Sequence, residues 1–175
     1  MCYPKSDEVK RAVNEALRRF YLNDRYLIDH NVNERSLTFR LGFYLQQIFS
    51  GWDVDCEFNR NCVIGNDPKR VHDWRNGDRS MKNISPDIII HRRGTDSNLL
   101  VIEAKKENSA KKDKIDDTAK VEACIEEETL CYRYGLFLEF KSSLKKTLDT
   151  AVFINKNGES SLRIKSRATN DDEVK

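Results

Sequence analysis

The residues with the clearest chemical potential lie between positions 85 and 106, where two apolar runs flank a polar, glycine-containing turn. This pattern predicts a β-hairpin with its turn in residues 91 to 98. Asp87 opens the first run, and Glu103 and Lys105 close the second. Because positions i and i+2 lie on one face of a strand, Glu103 and Lys105 are expected to point the same way. Two carboxylates and an ammonium in this arrangement suit the binding of a cation and the handling of an anionic substrate.

The register of the hairpin brings the two carboxylates together. A turn centred near residues 94 and 95 makes paired positions sum to about 189 or 190. Asp87 then lies opposite either Ile102 or Glu103, and directly opposed Cβ atoms are roughly 5 Å apart. Two ionised carboxylates that close repel each other, and a divalent cation between them removes the repulsion. Because Mg²⁺ binds one or two carboxylates and keeps several waters, the pattern predicts a magnesium site.

These motifs, with their spacing, resemble the signature of the PD-(D/E)XK nuclease superfamily. The resemblance covers roughly residues 33 to 141, and its two motifs are Pro86-Asp87 and Glu103-Ala104-Lys105. It implies an α/β fold with a restriction endonuclease-like α-β-β-β-α-β core, in which a mixed central sheet is flanked by helices. It also implies a nuclease that hydrolyses phosphodiester bonds in DNA with Mg²⁺, for which Mn²⁺ can substitute.

The resemblance also implies a role for each residue. Asp87, Glu103 and the main-chain carbonyl of Ala104 would hold the metal ion. Lys105 would orient the attacking water or help to deprotonate it, and would neutralise developing charge. Glu34 would bind the ion through water or hold a second ion, since many superfamily members place a glutamate on the first core helix. The alternative for Glu34 is a first-turn glutamate stabilised by the helix dipole.

The acid-x-Lys spacing alone is not specific in this chain. It recurs at four other places: Glu8-Lys10, Asp67-Lys69, Glu139-Lys141 and Glu173-Lys175. The pair Glu139-Lys141 also lies on a predicted strand and is therefore the main competitor, but no upstream aspartate accompanies it. We therefore place the predicted site at Asp87, Glu103 and Lys105.

Nucleic-acid contacts are predicted from local charge, because the whole chain carries a net charge of only +2. Residues 60 to 82 contain six basic and three acidic side chains, a net of +3. A basic loop with an aromatic residue can follow a phosphate backbone and stack a base, and a solvated surface loop is the alternative. The contacts predicted in this loop are Arg70, Trp74, Arg75 and Arg79. Lys106 and Lys120 are further candidates for phosphate contact, with solvent-facing positions as the alternative.

The apolar periodicity predicts one domain over residues 1 to 166 and a polar tail over 167 to 175. Its parts are an N-terminal helical extension over 1 to 32, a core over 33 to 141 and a C-terminal hairpin over 142 to 166. The predicted core elements are a helix over 33 to 49, a strand over 53 to 58, the hairpin, a helix over 113 to 128 and a strand over 134 to 140. The first helix is expected to start at a cap on Ser6 or Asp7, and Asn157-Gly158 is expected to turn the last hairpin.

Composition narrows the class of protein. The 175 residues suit a single domain with its own core. The chain has no apolar run near the ~18 residues of a membrane span and no apolar N-terminal signal. Its five cysteines lack CxxC spacing, which favours free thiols in a reducing compartment. We therefore expect a cytoplasmic protein. The resemblance implies DNA as its partner and allows a homodimer, since superfamily members are often dimers.

Two other functions stay open at this stage. The first is a catalytically silent module of the nuclease fold that binds nucleic acid or a protein partner. The second is an unrelated α/β domain in which Glu103 and Lys105 form a strand-end ion pair. Metal affinity separates this second alternative from the nuclease, because an ion pair alone requires no metal. The sequence contains no P-loop, GxGxxG or GxSxG motif that would point to another enzyme class.

Overall fold

The computed structural model describes residues 3–61, 67–73, 80–155 and 162–163. The predicted contacts Trp74, Arg75 and Arg79, the Asn157-Gly158 turn and the tail over 167–175 lie outside the described residues. The helices are α1 (Ser6–Asn23), α2 (Arg25–Asp29), α3 (Glu34–Ile48), α4 (Lys111–Glu126) and α5 (Leu144–Thr150). The strands are β1 (Asp53–Cys56), β2 (Arg70–His72), β3 (Met81–Asn83), β4 (Ile88–His91), β5 (Asn98–Lys106), β6 (Tyr134–Phe140), β7 (Val152–Asn155) and β8 (Leu162–Arg163).

The main sheet has the strand order β1-β4-β5-β6-β7-β8. Its central pair, β5 and β6, is parallel, whereas every other neighbouring pair is antiparallel. The parallel pair requires a crossover, and α4 provides it between the two strands. The predicted mixed central sheet is therefore confirmed.

Helices cover both faces of this sheet because β4 and β5 bury alternate residues on opposite sides. Ile88 and Ile102 belong to the larger apolar cluster, which also contains the buried faces of α1 and α3. Ile89 and Val101 belong to the smaller cluster with Val121 and other residues of α4. The sheet is thus a middle layer between two helical layers, as the continuous apolar runs of its central strands predict.

Helix starts follow capping chemistry. The side chain of Asn33 accepts a hydrogen bond from the Ser36 N–H at 2.8 Å, so the predicted cap of α3 is confirmed. The predicted cap of α1 is wrong, because Lys5 occupies that position and its N–H donates to Glu8 at 2.7 Å. The first-turn Glu8 accepts the main-chain N–H at the start of α1, and no serine or aspartate occupies the cap position.

Two features add to the predicted order of elements. The basic segment contains a separate two-stranded sheet, β2 with β3, where the sequence predicts a loop. A short helix, α5, fills the connection between β6 and β7, and it buries Leu148 against the larger cluster. The strands β2 and β3 and the helix α5 are each seven residues or shorter, which is too short for the sequence to show a clear apolar period. None of the helices in the described part of the chain is long and apolar enough to cross a membrane.

The topology gathers one set of strand ends at a single edge. Because β5 and β6 are parallel, their C-terminal ends lie side by side. Because β4 runs antiparallel to β5, the start of β4 meets the end of β5 at the same edge. The side chains that the sequence singles out therefore meet where β4 begins and β5 ends.

Candidate active site

The hairpin register places Asp87 against the end of β5. Ile88 pairs with Ile102, so the next position outward sets Asp87 opposite Glu103, one of the two predicted alternatives. Oδ2 of Asp87 accepts a hydrogen bond from the main-chain N–H of Ala104 at 2.8 Å. Burial raises the pKa of Asp87, and this hydrogen bond offsets part of the rise. The main chain of β5 thus fixes one carboxylate oxygen of Asp87.

Glu103 is the most deeply buried charged group at this edge, with 1% of its surface exposed. Oε2 of Glu103 lies 2.5 Å from Nζ of Lys120 on α4. Oε1 is buried and has no hydrogen-bond partner among the described residues. Burial raises the pKa of Glu103 well above its ordinary value, the charge of Asp87 raises it further, and Lys120 offsets only part of the rise. Glu103 therefore has unmet capacity to bind a cation.

Lys105 lies between two carboxylates at the end of β5. Its Nζ is 2.8 Å from Oε1 of Glu34 and 2.9 Å from Oδ2 of Asp117. Burial alone lowers the pKa of Lys105, but the hydrogen bonds to Glu34 and Asp117 outweigh burial and raise the pKa. The ammonium thus stays charged at neutral pH. In this state Lys105 can donate hydrogen bonds and neutralise negative charge, but it cannot accept a proton from water.

Glu34 reaches this edge from the first turn of α3. Oε1 accepts from Lys105, and Oε2 accepts from the main-chain N–H of Lys106 at 3.3 Å. The same helix buries Leu37 and Leu41, one and two turns later, against the sheet. The position on the apolar stripe therefore directs Glu34 toward β5. Its place in the first turn also fits the helix dipole, so the two interpretations of Glu34 are compatible.

Asp117 also belongs to this site, although the sequence analysis does not predict it. It lies on α4 with its side chain 15% exposed, and it contacts both Lys105 and, at 3.8 Å, Nζ of Lys120. A signal for it exists in the sequence, because Asp117 precedes the buried Val121 and Cys124 by four and seven positions. That spacing places an aspartate on the face of α4 that packs on the sheet.

We call the six side chains at this edge the β5 cluster. Its members are Glu34, Asp87, Glu103, Lys105, Asp117 and Lys120. Four carboxylates and two ammonium groups give a net charge of −2 when all are ionised. One divalent cation would neutralise that charge, and hard oxygen ligands are those that Mg²⁺ prefers.

The metal ligands predicted from the sequence are Asp87, Glu103 and the carbonyl of Ala104. Within the described residues, no group of three or more His, Cys, Asp or Glu side chains is arranged to hold a metal ion. A magnesium site built from two carboxylates, a main-chain carbonyl and water does not require such a group. The free Oε1 of Glu103 and the excess of carboxylates make the donor set compatible with a divalent cation.

Arg70, Lys106 and Lys120 are the predicted nucleic-acid contacts among the described residues, and each has its own protein partner. Arg70 lies on β2, where Nε donates to Asn83 at 3.1 Å. Nζ of Lys106 donates to the main-chain oxygens of Asn31 and Val32 at 3.1 and 2.9 Å, so Lys106 ties β5 to the segment before α3. Lys120 does not face solvent, because its side chain is 17% exposed and pairs with Glu103. These contacts give Lys106 and Lys120 structural partners.

The competing pair Glu139-Lys141 lies at the end of β6. Oε1 of Glu139 is 3.0 Å from Nζ of Lys114 and 3.6 Å from Nζ of Lys141. The parallel register pairs Glu139 with Lys105, so the two motifs are close neighbours. Two ammonium groups already neutralise Glu139, which leaves it with little demand for a further cation.

The chain matches no protein-family model, no curated protein and no solved structure. The geometry and charge of the β5 cluster are those of a carboxylate-rich site that lies beside a charged lysine, at one edge of a mixed sheet.

Proposed function

We propose that this protein is a divalent-metal-dependent nuclease of the PD-(D/E)XK type, with a restriction endonuclease-like core, and that it hydrolyses phosphodiester bonds in DNA. The observation that carries the proposal is the excess of carboxylates in the β5 cluster, together with the buried Oε1 of Glu103 that has no hydrogen-bond partner among the described residues. The sequence motif and the hairpin register support it, because together they set Asp87 opposite Glu103.

Each residue has a defined task in this proposal. Asp87, Glu103 and the carbonyl of Ala104 would hold the Mg²⁺, which when bound supplies an activated water and charge stabilisation at the phosphate. The charged Lys105 orients the attacking water and donates to the oxygens on which negative charge develops. Glu34 and Asp117 hold the Lys105 ammonium in place from two sides.

A second candidate function rests on the contact between Lys120 and Glu103. An ammonium 2.5 Å from Oε2 of Glu103 occupies one side of the predicted ligand. This observation favours a silent module of the same fold, which binds nucleic acid or a protein partner and needs no metal. Metal binding distinguishes the two functions.

The test is titration calorimetry with Mn²⁺ on the wild type, Glu103→Ala and the matched control Glu139→Ala. We expect the wild type and Glu139→Ala to bind the ion, and Glu103→Ala to lose binding because it lacks the buried ligand. Both variants remove a carboxylate that pairs with lysine, so a general loss of charge affects them equally. Absence of binding to the wild type, with and without a DNA oligonucleotide, would overturn the nuclease proposal.

Cleavage assays then define the activity. Supercoiled plasmid, circular single-stranded DNA and a four-way junction are incubated with Mg²⁺ or Mn²⁺ and the wild type or Glu103→Ala. We expect the wild type to cleave at least one of these substrates and Glu103→Ala to cleave none. Metal binding without cleavage of any of these substrates would contradict the proposed cleavage of DNA.

A further inference from the structure

We propose that Lys120 is a tethered counter-ion that competes with the divalent metal for Glu103 and moves toward Asp117 when the metal binds. This inference rests on the proposed function, because it concerns the same metal site. It assigns to Lys120 a regulatory role in metal affinity in place of the predicted phosphate contact.

Lys120 lies against the predicted metal ligand Glu103. Its Nζ lies 2.5 Å from Oε2 of Glu103, whose carboxylate is buried with 1% of the residue exposed. A buried carboxylate needs a cationic partner, because water cannot solvate it there. In the metal-free protein, Lys120 meets that need and keeps the ligand from being an unpaired charge.

The pairing between Lys120 and Glu103 is incomplete. Oε1 of Glu103 is buried and has no hydrogen-bond partner in the described part of the chain. The cluster also keeps two more carboxylates than ammonium groups. A single monovalent ammonium therefore leaves residual negative charge, which a divalent ion neutralises more fully. The competition favours the metal once its concentration is sufficient.

A second acceptor, Asp117, lies within reach of Lys120. Oδ1 of Asp117 lies 3.8 Å from Nζ of Lys120, and the two residues are three positions apart on α4. Side chains at this spacing are neighbours on a helix surface. The Lys120 ammonium can therefore reach Asp117 by a change of side-chain conformation alone. The charge of Lys120 then remains paired after the metal takes Glu103.

Lys120→Met tests the inference, because it keeps an unbranched side chain and removes the charge. We expect this variant to bind Mn²⁺ at least about fivefold more tightly than the wild type in calorimetry, the lower end of ordinary coupling between sites. All proteins are titrated in the same buffer at the same pH. Lys114→Met is the matched control. Lys114 lies on the same helix as Lys120 but pairs with Glu139 and not with Glu103.

A second variant keeps the test decisive if Lys120→Met does not fold. Lys120→Gln retains a hydrogen-bond donor for Glu103 but carries no charge, and it is also expected to bind Mn²⁺ more tightly. Thermal unfolding of the metal-free proteins serves as the independent readout of folding. The neutral variants should unfold at lower temperature than the wild type without metal, and saturating Mn²⁺ should reduce this difference.

The outcomes separate the two proposals. Tighter binding in the neutral variants and unchanged binding in Lys114→Met support the counter-ion role. Binding by Lys120→Met or Lys120→Gln but not by the wild type would overturn both proposals, because the metal would then not displace Lys120 from Glu103 in the wild type. If the wild type binds and its neutral variants bind equally or more weakly, the counter-ion role is overturned while the nuclease proposal stands. If none of the proteins binds Mn²⁺, both proposals fail.

Discussion

Two acid-x-Lys motifs lie at neighbouring strand ends but have different charged surroundings. Glu103-Lys105 ends β5 and Glu139-Lys141 ends β6, and the parallel register pairs Lys105 with Glu139. Each glutamate lies within ion-pair distance of a lysine from α4, Lys120 for Glu103 and Lys114 for Glu139. The motifs therefore share spacing, strand position and covering helix.

The difference lies in the balance of charge around each glutamate. Glu139 lies near two ammonium groups, and one of them, from Lys114, also donates to the main-chain oxygen of Glu107 at 2.7 Å. The β5 cluster has four carboxylates for two ammonium groups. The additional acids come from other elements, since Asp87 precedes β4 and Glu34 begins α3. In the proposed function, this surplus of carboxylates, and not the short motif alone, would hold the cation.

The largest difference between the two motifs is expected for their lysines. Lys105→Met should lower the rate of metal-dependent DNA cleavage by about 10²–10⁴-fold, the usual contribution of a positioned proton donor or electrostatic group. Lys141→Met should change the rate little, because Lys141 lies 3.6 Å from a carboxylate outside the β5 cluster. The measurement is the single-turnover cleavage rate on the best substrate with saturating Mn²⁺.

Metal binding is the control for this comparison. Calorimetry should show that Lys105→Met still binds Mn²⁺, because neither predicted carboxylate ligand is altered. Equal loss of activity in the two variants would contradict the distinction between the motifs. Loss of Mn²⁺ binding in Lys105→Met would instead indicate a general collapse of the β5 cluster.

A smaller effect is expected for Asp117, which acts through Lys105. Asp117→Asn removes the charge that holds the ammonium at 2.9 Å, so we expect a loss of roughly 10-fold in cleavage rate, typical of residues that position a catalytic group. The alkaline limb of the pH profile of the rate should also move to lower pH, because the pKa of Lys105 falls when one of its two carboxylate partners is neutralised. Asp113→Asn, at an exposed position on the same helix, is the matched control. An unchanged rate and pH profile in Asp117→Asn would leave Asp117 a purely structural residue.

The sequence contains most of the information for the hairpin and its carboxylates. A period of two along β5 places Glu103 and Lys105 on one face, and the turn chemistry limits the register to two choices. The same parity puts Lys106 on the opposite face, which explains why its ammonium binds the main-chain oxygens before α3 instead of joining Lys105. Strand parity is therefore more informative than charge for assigning these lysines.

The contribution of α4 could not be predicted in the same way. Its apolar face indicates that it packs on the sheet, but the strand end that Asp117 and Lys120 reach depends on how the crossover from β5 to β6 lies across the sheet. Local sequence does not encode that placement, since it results from the packing of Val121 and Cys124 in the smaller apolar cluster. The same limit applies to Lys114, whose contact with Glu139 joins residues 25 positions apart.

The smallest predicted effect concerns stability and pH. Burial and the charge of Asp87 raise the pKa of Glu103 in the folded protein. At pH values above the ordinary pKa of 4.5, the unfolded chain has therefore lost the proton that the folded protein still holds. The contribution of Glu103 to the free energy of unfolding therefore falls as pH rises above 4.5, by up to about 1.4 kcal/mol per pH unit. Glu103→Gln removes this term, so the difference in unfolding free energy, variant minus wild type, should grow more positive with pH in metal-free denaturant titrations. Glu139→Gln is the matched comparison. If the unfolding free energy changes its slope against pH equally in both variants, burial beside surplus carboxylates does not distinguish the two motifs.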